Sequence, residues 1–261
     1  MERDSIAVIA CGDFNTLTSL NDVYQVIYEN INNLEVRLWD LPNQSDQDIT
    51  TLGPFYARNL LETICTALVG RLDPFRLLYV KQVQQRDGFN LGSRSNAAIT
   101  WFGDIFEQGL PKKELEPQKM WSPNKNFGNI GRGMLGDYYG QVFWNSAYQE
   151  ILDATNDLDI DPIDYYRMSI PSPNKFIMYA RQRASSLYSS LSKGVHGEIV
   201  VQPEIRYDKP TVLQLVSEVL ELCAILCLVS HKVDSAICRL PFDTAIDQYS
   251  KLKRWGDSYG I

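Results

Sequence analysis

The stretch that decides the fold is KFIMYARQRASSLYSSLSKGVHGE, residues 175–198, which predicts one long helix. Its apolar residues recur at three- and four-residue steps and share one face, as in a helix that packs against a core. Ser172 and Pro173 supply a start signal, because serine caps free amide groups and proline fits the first helical turn. The apolar face consists of Ile177, Ala180, Ala184, Leu187, Leu191 and Val195.

A polar stripe follows a neighbouring face of the same predicted helix and ends at His196, one of only two histidines in the chain. Imidazole has an unperturbed pKa near neutrality, so His196 is the first candidate for proton transfer. The alternative is a helix-terminal histidine held by hydrogen bonds in a core or an interface. The stripe consists of Arg181, Ser185, Tyr188, Ser189, Ser192 and His196.

The composition is that of a globular protein, with 261 residues of which 44% are hydrophobic and 22% charged. The net charge of -7 argues against nucleic-acid binding by bulk attraction. The five scattered cysteines are odd in number and indicate a reducing compartment. The apolar run from Ile6 to Cys11 is too short for a signal peptide, and polar residues interrupt 212–229, so we expect a cytoplasmic protein without a membrane span.

Helical periodicity dominates both ends of the chain and predicts a mainly α fold, with little strand, in a single domain over 1–261. The core helices fall at about 20–83 and 172–255, and a loop-rich insertion occupies about 84–171. Asp73 and Pro74 separate two helices in the first block, and Asp208 with Pro210 opens a third strong helix. Further predicted helices are 20–39, 54–72, 75–83, 208–233 and 242–255, with shorter pieces at 95–106 and 138–153.

Three segments leave alternatives open. Ile6–Cys11 reads as an edge strand or as an ordered N-terminal segment, and Ile199–Tyr207 as an extended connector or a short edge strand. The aromatic residues of the insertion suit a partner surface, since aromatics are enriched in interface cores, or they fill the protein's own core. These rings are Tyr138, Tyr139, Phe143, Trp144, Tyr165 and Tyr166.

Motifs that would indicate a cofactor or a metal have simpler explanations here. Gly131–Gly136 satisfies GxGxxG, but no apolar strand leads into it, so it predicts a Gly-rich loop rather than a dinucleotide site. Cys223 and Cys227 lie among leucines, as small buried hydrophobes rather than zinc ligands. His231 ends the most apolar helix, where a cation is favoured by the helix dipole. We therefore expect no metal and no cofactor.

The segment from Tyr188 to Gly197, YSSLSKGVHG, resembles the string that often ends the last long helix of HEPN domains, the higher eukaryotes and prokaryotes nucleotide-binding superfamily. Ala57–Glu62, ARNLLE, is similar to the usual first core helix of that superfamily. The resemblance covers about 54–83 and 175–233. It implies a helical bundle that commonly dimerises.

In active members of the superfamily, the resemblance implies a ribonuclease site at the dimer interface, where an arginine precedes a histidine by a few residues. This chain has Leu191, Ser190 and Ser189 at the corresponding positions before His196. The catalytic candidates are His196, Ser192 and Lys193, with an arginine from a second protomer. The binding candidates are Arg58, Glu62, Arg181 and Tyr188.

The resulting expectation is an accessory, regulatory or scaffold subunit that acts through protein contacts, as a homodimer or with an effector, in a bacterial phage-defence or toxin–antitoxin complex. The alternatives are a divergent metal-independent ribonuclease that uses His196, and a nucleotide- or RNA-binding sensor that uses the loop at 128–136.

Overall fold

The computed structural model describes residues 5–90, 98–107, 133–155, 166, 169–170, 172–195 and 207–257. These residues form helices and no strand, which confirms the mainly α fold class. Eight of the helices have seven residues or more. They are α1 (Ser5–Cys11), α2 (Asn21–Asp40), α3 (Asp46–Leu72), α4 (Pro74–Gln84), α5 (Asn145–Ala154), α6 (Phe176–Val195), α7 (Lys209–Ser230) and α8 (Phe242–Asp257).

Helices α3 and α7 form the centre of the fold and pack against each other. Helices α2 and α6 flank α3, while α8 and α6 also contact α7. The Asp208 carboxylate caps α7 as predicted, by accepting from the amide of Thr211 at 2.9 Å. In the described part of the chain, α7 alone is long and apolar enough to cross a membrane, and 72% of its most apolar window is buried inside the protein.

Helix α3 begins eight residues earlier than predicted, because Pro54 lies inside the helix rather than at its start. Ser45 caps the true N-terminus by accepting from the amide of Asp48 at 3.1 Å. Proline removes one helical hydrogen bond, so it is normally a helix boundary. Here, both Gly53 and Pro54 are buried, and packing against other helices outweighs that local cost.

Two shorter segments also differ from the prediction. Ile6–Cys11 belongs to α1, so the strand alternative is wrong, and all of its residues except Val8 are buried, where α1 contacts α2, α3, α7 and α8. Residues 98–106, predicted as the end of a helix, form turns. The Asp104 carboxylate accepts from both the amide and the hydroxyl of Thr100, which competes with helical bonding, and Gly103 has a φ of +116°.

Helix α6 follows a short 3-10 turn at Pro173–Lys175, and the side chain of Ser172 makes no capping bond, contrary to the prediction. In the insertion, 137–154 is helical as predicted, with a π turn at Gly140–Trp144 before α5. Its Trp144 and Tyr148 are buried against the body of the protein. One hydrophobic cluster contains residues from all eight helices. The predicted connector at 199–206 and residues 196–198 lie outside the described residues.

Candidate functional site

The segment 98–107 packs against part of the polar stripe of α6. At one end, the ring of Trp101 stacks on that of Tyr188, with centroids 4.2 Å apart and planes 9° from parallel. At the other end, Phe106, Arg181 and Ser185 line an open groove of about 630 Å³ together with Met178, Gln182 and Ser186. Tyr188 is therefore the residue of the stripe on which this segment packs.

Tyr188 is the centre of a cluster that joins α3 to α6, here called the Tyr188 cluster: Arg58, Glu62, Trp101, Phe102 and Tyr188. Arg58 Nη2 donates to the Tyr188 hydroxyl at 2.6 Å, and its guanidinium carbon lies 4.5 Å from the ring centroid. The predicted ion pair between Arg58 and Glu62 is present, with Nε and Oε1 3.0 Å apart. The structure thus brings together three of the four predicted binding residues.

Arg58 is the shared donor of the Tyr188 cluster. It donates to the Tyr188 hydroxyl at 2.6 Å and to the Glu62 carboxylate at 3.0 Å. Burial raises the pKa of Tyr188, Arg58 opposes that increase and Glu62 adds to it, so the hydroxyl stays protonated at neutral pH. Arg58 therefore clamps α3 to α6, next to an exposed aromatic surface. Phe102, 56% exposed, packs edge-on against Tyr188.

The described catalytic candidates occupy the next turn of α6. The Ser192 hydroxyl donates to the backbone carbonyl of Tyr188 at 2.6 Å, so its proton is used in a hydrogen bond within the helix. Lys193 lies in the last turn, where a cation interacts favourably with the helix dipole. Gly194 packs against Pro54, since a Cβ there would lie 2.7 Å from the proline ring. His196, the third catalytic candidate, lies outside the described residues.

Arg181, the fourth binding candidate, belongs to a different cluster, which sequence reasoning missed. Its guanidinium forms an ion pair with Asp137. Burial first, and then the charge of Asp137, raise the pKa of the nearby Glu107 to about 7, while Arg181 lowers it. One oxygen of Glu107 is buried without a hydrogen-bond partner in the described part of the chain.

The two described glycines of the GxGxxG segment make room for this Glu107 side chain. A Cβ on Gly136 would lie 1.9 Å from Glu107 Oε1, and one on Gly133 would lie 2.8 Å from its Cγ. The glycines form an ordered turn, with the Gly136 amide donating to the Gly133 carbonyl at 2.8 Å, directly before the helical segment at 137. Glycine is required at both positions because any larger residue would clash with the Glu107 side chain. Their three-residue spacing was the signal available in the sequence.

A third polar cluster lies in the core around Arg71, which is fully buried in α3. Arg71 Nη1 donates to Ser230 Oγ at 2.7 Å, Nε donates to the Ile237 carbonyl at 3.1 Å, and Nη2 lies 2.9 Å from His231 Nδ1. No carboxylate bonds to this guanidinium among the described residues. Arg71 lies in the last turn of α3, where a cation is favoured by the helix dipole, so the sequence gave no sign that it points inward.

His231 ends α7 as predicted, but the prediction that it is a cation is wrong. Burial, and then the adjacent Arg71 charge, lower its pKa to about 3, so the imidazole is neutral. Nδ1 accepts from the Leu240 amide at 2.9 Å, which leaves the proton on Nε2 to donate to the Ile9 carbonyl at 2.9 Å. The imidazole therefore has a structural role and connects α1 with the chain after α7.

Three of the five described aromatic residues that the sequence singled out in the insertion are buried in the core. Trp144 is fully buried and donates to the Met134 carbonyl, while Tyr139 and Tyr166 are 5% and 3% exposed. Tyr138 and Phe143 are half-buried against the same core, and Tyr165 lies outside the described residues. The core interpretation is therefore confirmed for Tyr139, Trp144 and Tyr166.

The most exposed apolar surface that the structure describes is on α4. Phe75, Leu78 and Tyr79 are 72%, 38% and 53% exposed and, with Gln82, follow the three- and four-residue steps of one helical stripe. We call these four residues the α4 surface. Helix α4 is anchored by Leu77, its one buried residue, which packs against Gly70. Sequence reasoning predicted the helix but not that its apolar stripe faces outward.

No group of three or more histidine, cysteine, aspartate or glutamate side chains that could hold a metal ion occurs among the described residues. Cys223 and Cys227 are buried as predicted. Comparison of the whole chain with protein-family models, with curated proteins and with solved structures gave no match.

Proposed function

We propose that this protein is an HEPN-like helical accessory, regulatory or scaffold subunit that acts through protein–protein contacts, in a bacterial phage-defence or toxin–antitoxin complex. The observation that carries the proposal is the α4 surface. The HEPN relationship and the biological setting rest on the sequence resemblance at 57–62 and 188–197.

The α4 surface has the properties of a binding hot spot. A phenylalanine exposed to 72% and a tyrosine exposed to 53% lie one turn apart on a helix that contributes one buried residue to the core. Aromatic side chains dominate the energetics of interfaces because they bury a large area at low conformational cost. Contiguous apolar surface of this kind marks interaction sites on soluble proteins.

The experiment compares the tagged wild-type chain with a Phe75→Ser/Tyr79→Ser double variant, recovered from its native host under phage challenge. We expect a specific protein to copurify with the wild type and to be lost at least tenfold from the variant. Binding of that protein is then measured with purified components. Phe102→Ser is the matched control, because this ring is 56% exposed on a different segment.

Two results would overturn the proposal. One is that the double variant binds the same proteins as the wild type and protects the host equally well. The other is that the Phe102→Ser control loses the partner to the same extent, since the effect would then come from any loss of exposed aromatic surface. Circular dichroism establishes that each variant remains folded.

A second candidate function, ribonuclease activity at the end of α6, is favoured by the position of Arg58. The sequence offers no arginine shortly before His196, but Arg58 of α3 contacts Tyr188, eight residues before that histidine. A guanidinium could stabilise charge that develops on a scissile phosphate. Purified protein should then cleave single-stranded RNA without added metal, and His196→Ala should abolish cleavage with an unchanged melting temperature. RNA that stays intact with the wild type would exclude this function.

The third alternative, nucleotide binding at 128–136, has less support. The close packing of Glu107 on Gly133 and Gly136 places a carboxylate where a phosphate would need to approach those backbone amides. A nucleoside triphosphate that fails to shift the melting temperature would agree with this interpretation.

A further inference from the structure

We propose that Glu107 is a pH-dependent switch: its neutral side chain occupies the space beside Gly133 and Gly136, and its ionised side chain turns outward into the groove on α6. The space beside the two glycines is here called the Glu107 seat. The groove is the open one of about 630 Å³ that Phe106 and Arg181 line, here called the α6 groove. This inference is independent of the α4 surface and of the proposed function.

The Glu107 seat fits the shape of this side chain but leaves part of its carboxyl group without a partner. A Cβ on Gly136 would lie 1.9 Å from Glu107 Oε1, so the carboxyl group lies directly against the glycine backbone. That oxygen is buried and makes no hydrogen bond in the part of the chain that the structure describes. Burying an ionised carboxylate is costly unless it is paired and hydrogen-bonded. The seat therefore favours the neutral form.

The charges around the seat also disfavour an ionised Glu107. Among the described residues, Asp137 of the adjoining helical segment and Arg181 of α6 face it, and these two are paired with each other. Asp104, on the same segment as Glu107, is paired with Arg76 instead. One cation thus serves two carboxyl groups. Burial, and then the charge of Asp137, raise the pKa of Glu107 to about 7, against the opposing effects of Arg181 and the Asp137 amide.

A movement of one side chain removes this conflict. Glu107 is half-buried and directly follows Phe106, which lines the α6 groove. Two backbone hydrogen bonds of 2.8 and 3.0 Å join 104–105 to 134–135, and a rotation of the Glu107 side chain leaves both intact. In the α6 groove the carboxylate meets water and the guanidinium of Arg181. Ionisation therefore adds a negative charge to the lining of the groove without unfolding its walls.

The switch operates close to neutral pH. A glutamate in water has a pKa of about 4.5, whereas that of the seated Glu107 is about 7. The outward form is therefore ionised at pH values where the seated form still holds its proton. From these two pKa values, the ratio of outward to seated side chains rises about twentyfold between about pH 5.5 and about pH 7.5.

Nuclear magnetic resonance of the full-length chain, isotope-labelled at its methionine methyl groups, tests the proposal. Met178 lines the α6 groove, and Met134 is buried beside the seat, so the two report on the two positions of Glu107. We expect the Met178 resonance, assigned with Met178→Leu, to shift between about pH 5.5 and about pH 8.5, with a midpoint no higher than about 7. Glu107→Gln should abolish the shift, because its neutral amide stays seated. Glu150→Gln is the matched control and should keep it, since Glu150 is exposed on α5.

Gly136→Ala holds the side chain outward at every pH, because its methyl group would lie where Glu107 Oε1 now lies. At about pH 5.5, its Met178 resonance should already lie close to that of the wild type at about pH 8.5; a resonance at the acid wild-type position contradicts the outward movement. The comparison with Glu107→Gln decides the question by itself if the alanine prevents folding.

Three results of that comparison overturn the proposal. The first is a Met178 resonance that does not move with pH in the wild type. The second is the same movement in Glu107→Gln, since another group would then be titrating. The third is a shift confined to Met134, because Glu107 would then ionise in its seat without entering the α6 groove.

Discussion

Replacing His231 with glutamine should make the protein less sensitive to mild acid. In the folded protein the imidazole is neutral, with a pKa of about 3. In the unfolded chain a histidine has a pKa of about 6.5 and takes up a proton as the pH falls. As the pH falls below about 6.5, the unfolded chain therefore binds a proton at His231 that the folded protein does not bind. Stability from this histidine is fully present above about pH 6.5 and is lost progressively as the pH falls towards 3.

The magnitude follows from the two pKa values. Between about pH 7.5 and about pH 5.5, protonation of His231 in the unfolded chain lowers the free energy of unfolding by about 1.4 kcal/mol. The folded-state pKa lies far below this window, so the loss depends almost entirely on the unfolded value. Both pH values lie above the pI of about 4.9, so the protein keeps its negative charge throughout.

Urea denaturation followed by tryptophan fluorescence measures this loss for the wild type and for His231→Gln, since the chain has five tryptophans. Glutamine is neutral and can donate to the Ile9 carbonyl and accept from the Leu240 amide, as the imidazole does. All other groups titrate equally in both chains, so the comparison isolates His231. The wild type should lose about 1.4 kcal/mol more than the variant. Equal losses would show that the imidazole is not held neutral.

Four other substitutions test the packing and the buried polar groups. Gly12→Ala should destabilise the protein by at least about 3 kcal/mol in urea denaturation, because φ is +64° and the new Cβ would lie 1.7 Å from a carbonyl oxygen; a smaller loss contradicts that contact. Gly136→Ala should be costly in the wild type but tolerated with Glu107→Ala, and additive losses in a double-mutant cycle would refute their contact. Glu107→Gln should remove a loss of stability that the wild type shows as the pH rises from about 4.5 through about 7, because in this range the folded carboxyl stays protonated while that of the unfolded chain ionises. Tyr188→Phe should lower the melting temperature and cost about 1–2 kcal/mol, because Arg58 loses its hydroxyl acceptor; an unchanged stability would mean that the clamp contributes nothing.

The helices that periodicity predicted well are those with one clear apolar face or a clear capping signal. The predicted ranges for α2, α7 and α8 agree with the structure to within a few residues. The start of α3 was missed because a local rule about Pro54 was outweighed by contacts with distant residues. The short apolar run of α1 fits a buried strand and a buried helix equally well, so periodicity alone could not decide between them.

The site was predictable only where its partners share a helix. The pair of Arg58 and Glu62 lies four residues apart, and spacing alone predicts it. The contact of Arg58 with Tyr188 joins residues 130 positions apart, and that of Glu107 with Gly136 depends on how an irregular segment folds back. No periodicity encodes such contacts. The outward direction of the α4 stripe depends in the same way on which face α3 leaves accessible.

The buried guanidinium of Arg71 makes a large part of the fold a single cooperative unit. Arginine keeps its charge in proteins, so it cannot avoid the penalty of burial by releasing a proton. Its acceptors come from the end of α7 and from the segment after it, and its neighbour His231 bonds to α1. Detaching that segment would remove an acceptor from the buried cation, and detaching α1 would remove the acceptor of the buried His231 ring. Amide hydrogens of the seven-residue α1 should therefore exchange as slowly as those of α3 and α7, unlike those of an ordinary terminal helix.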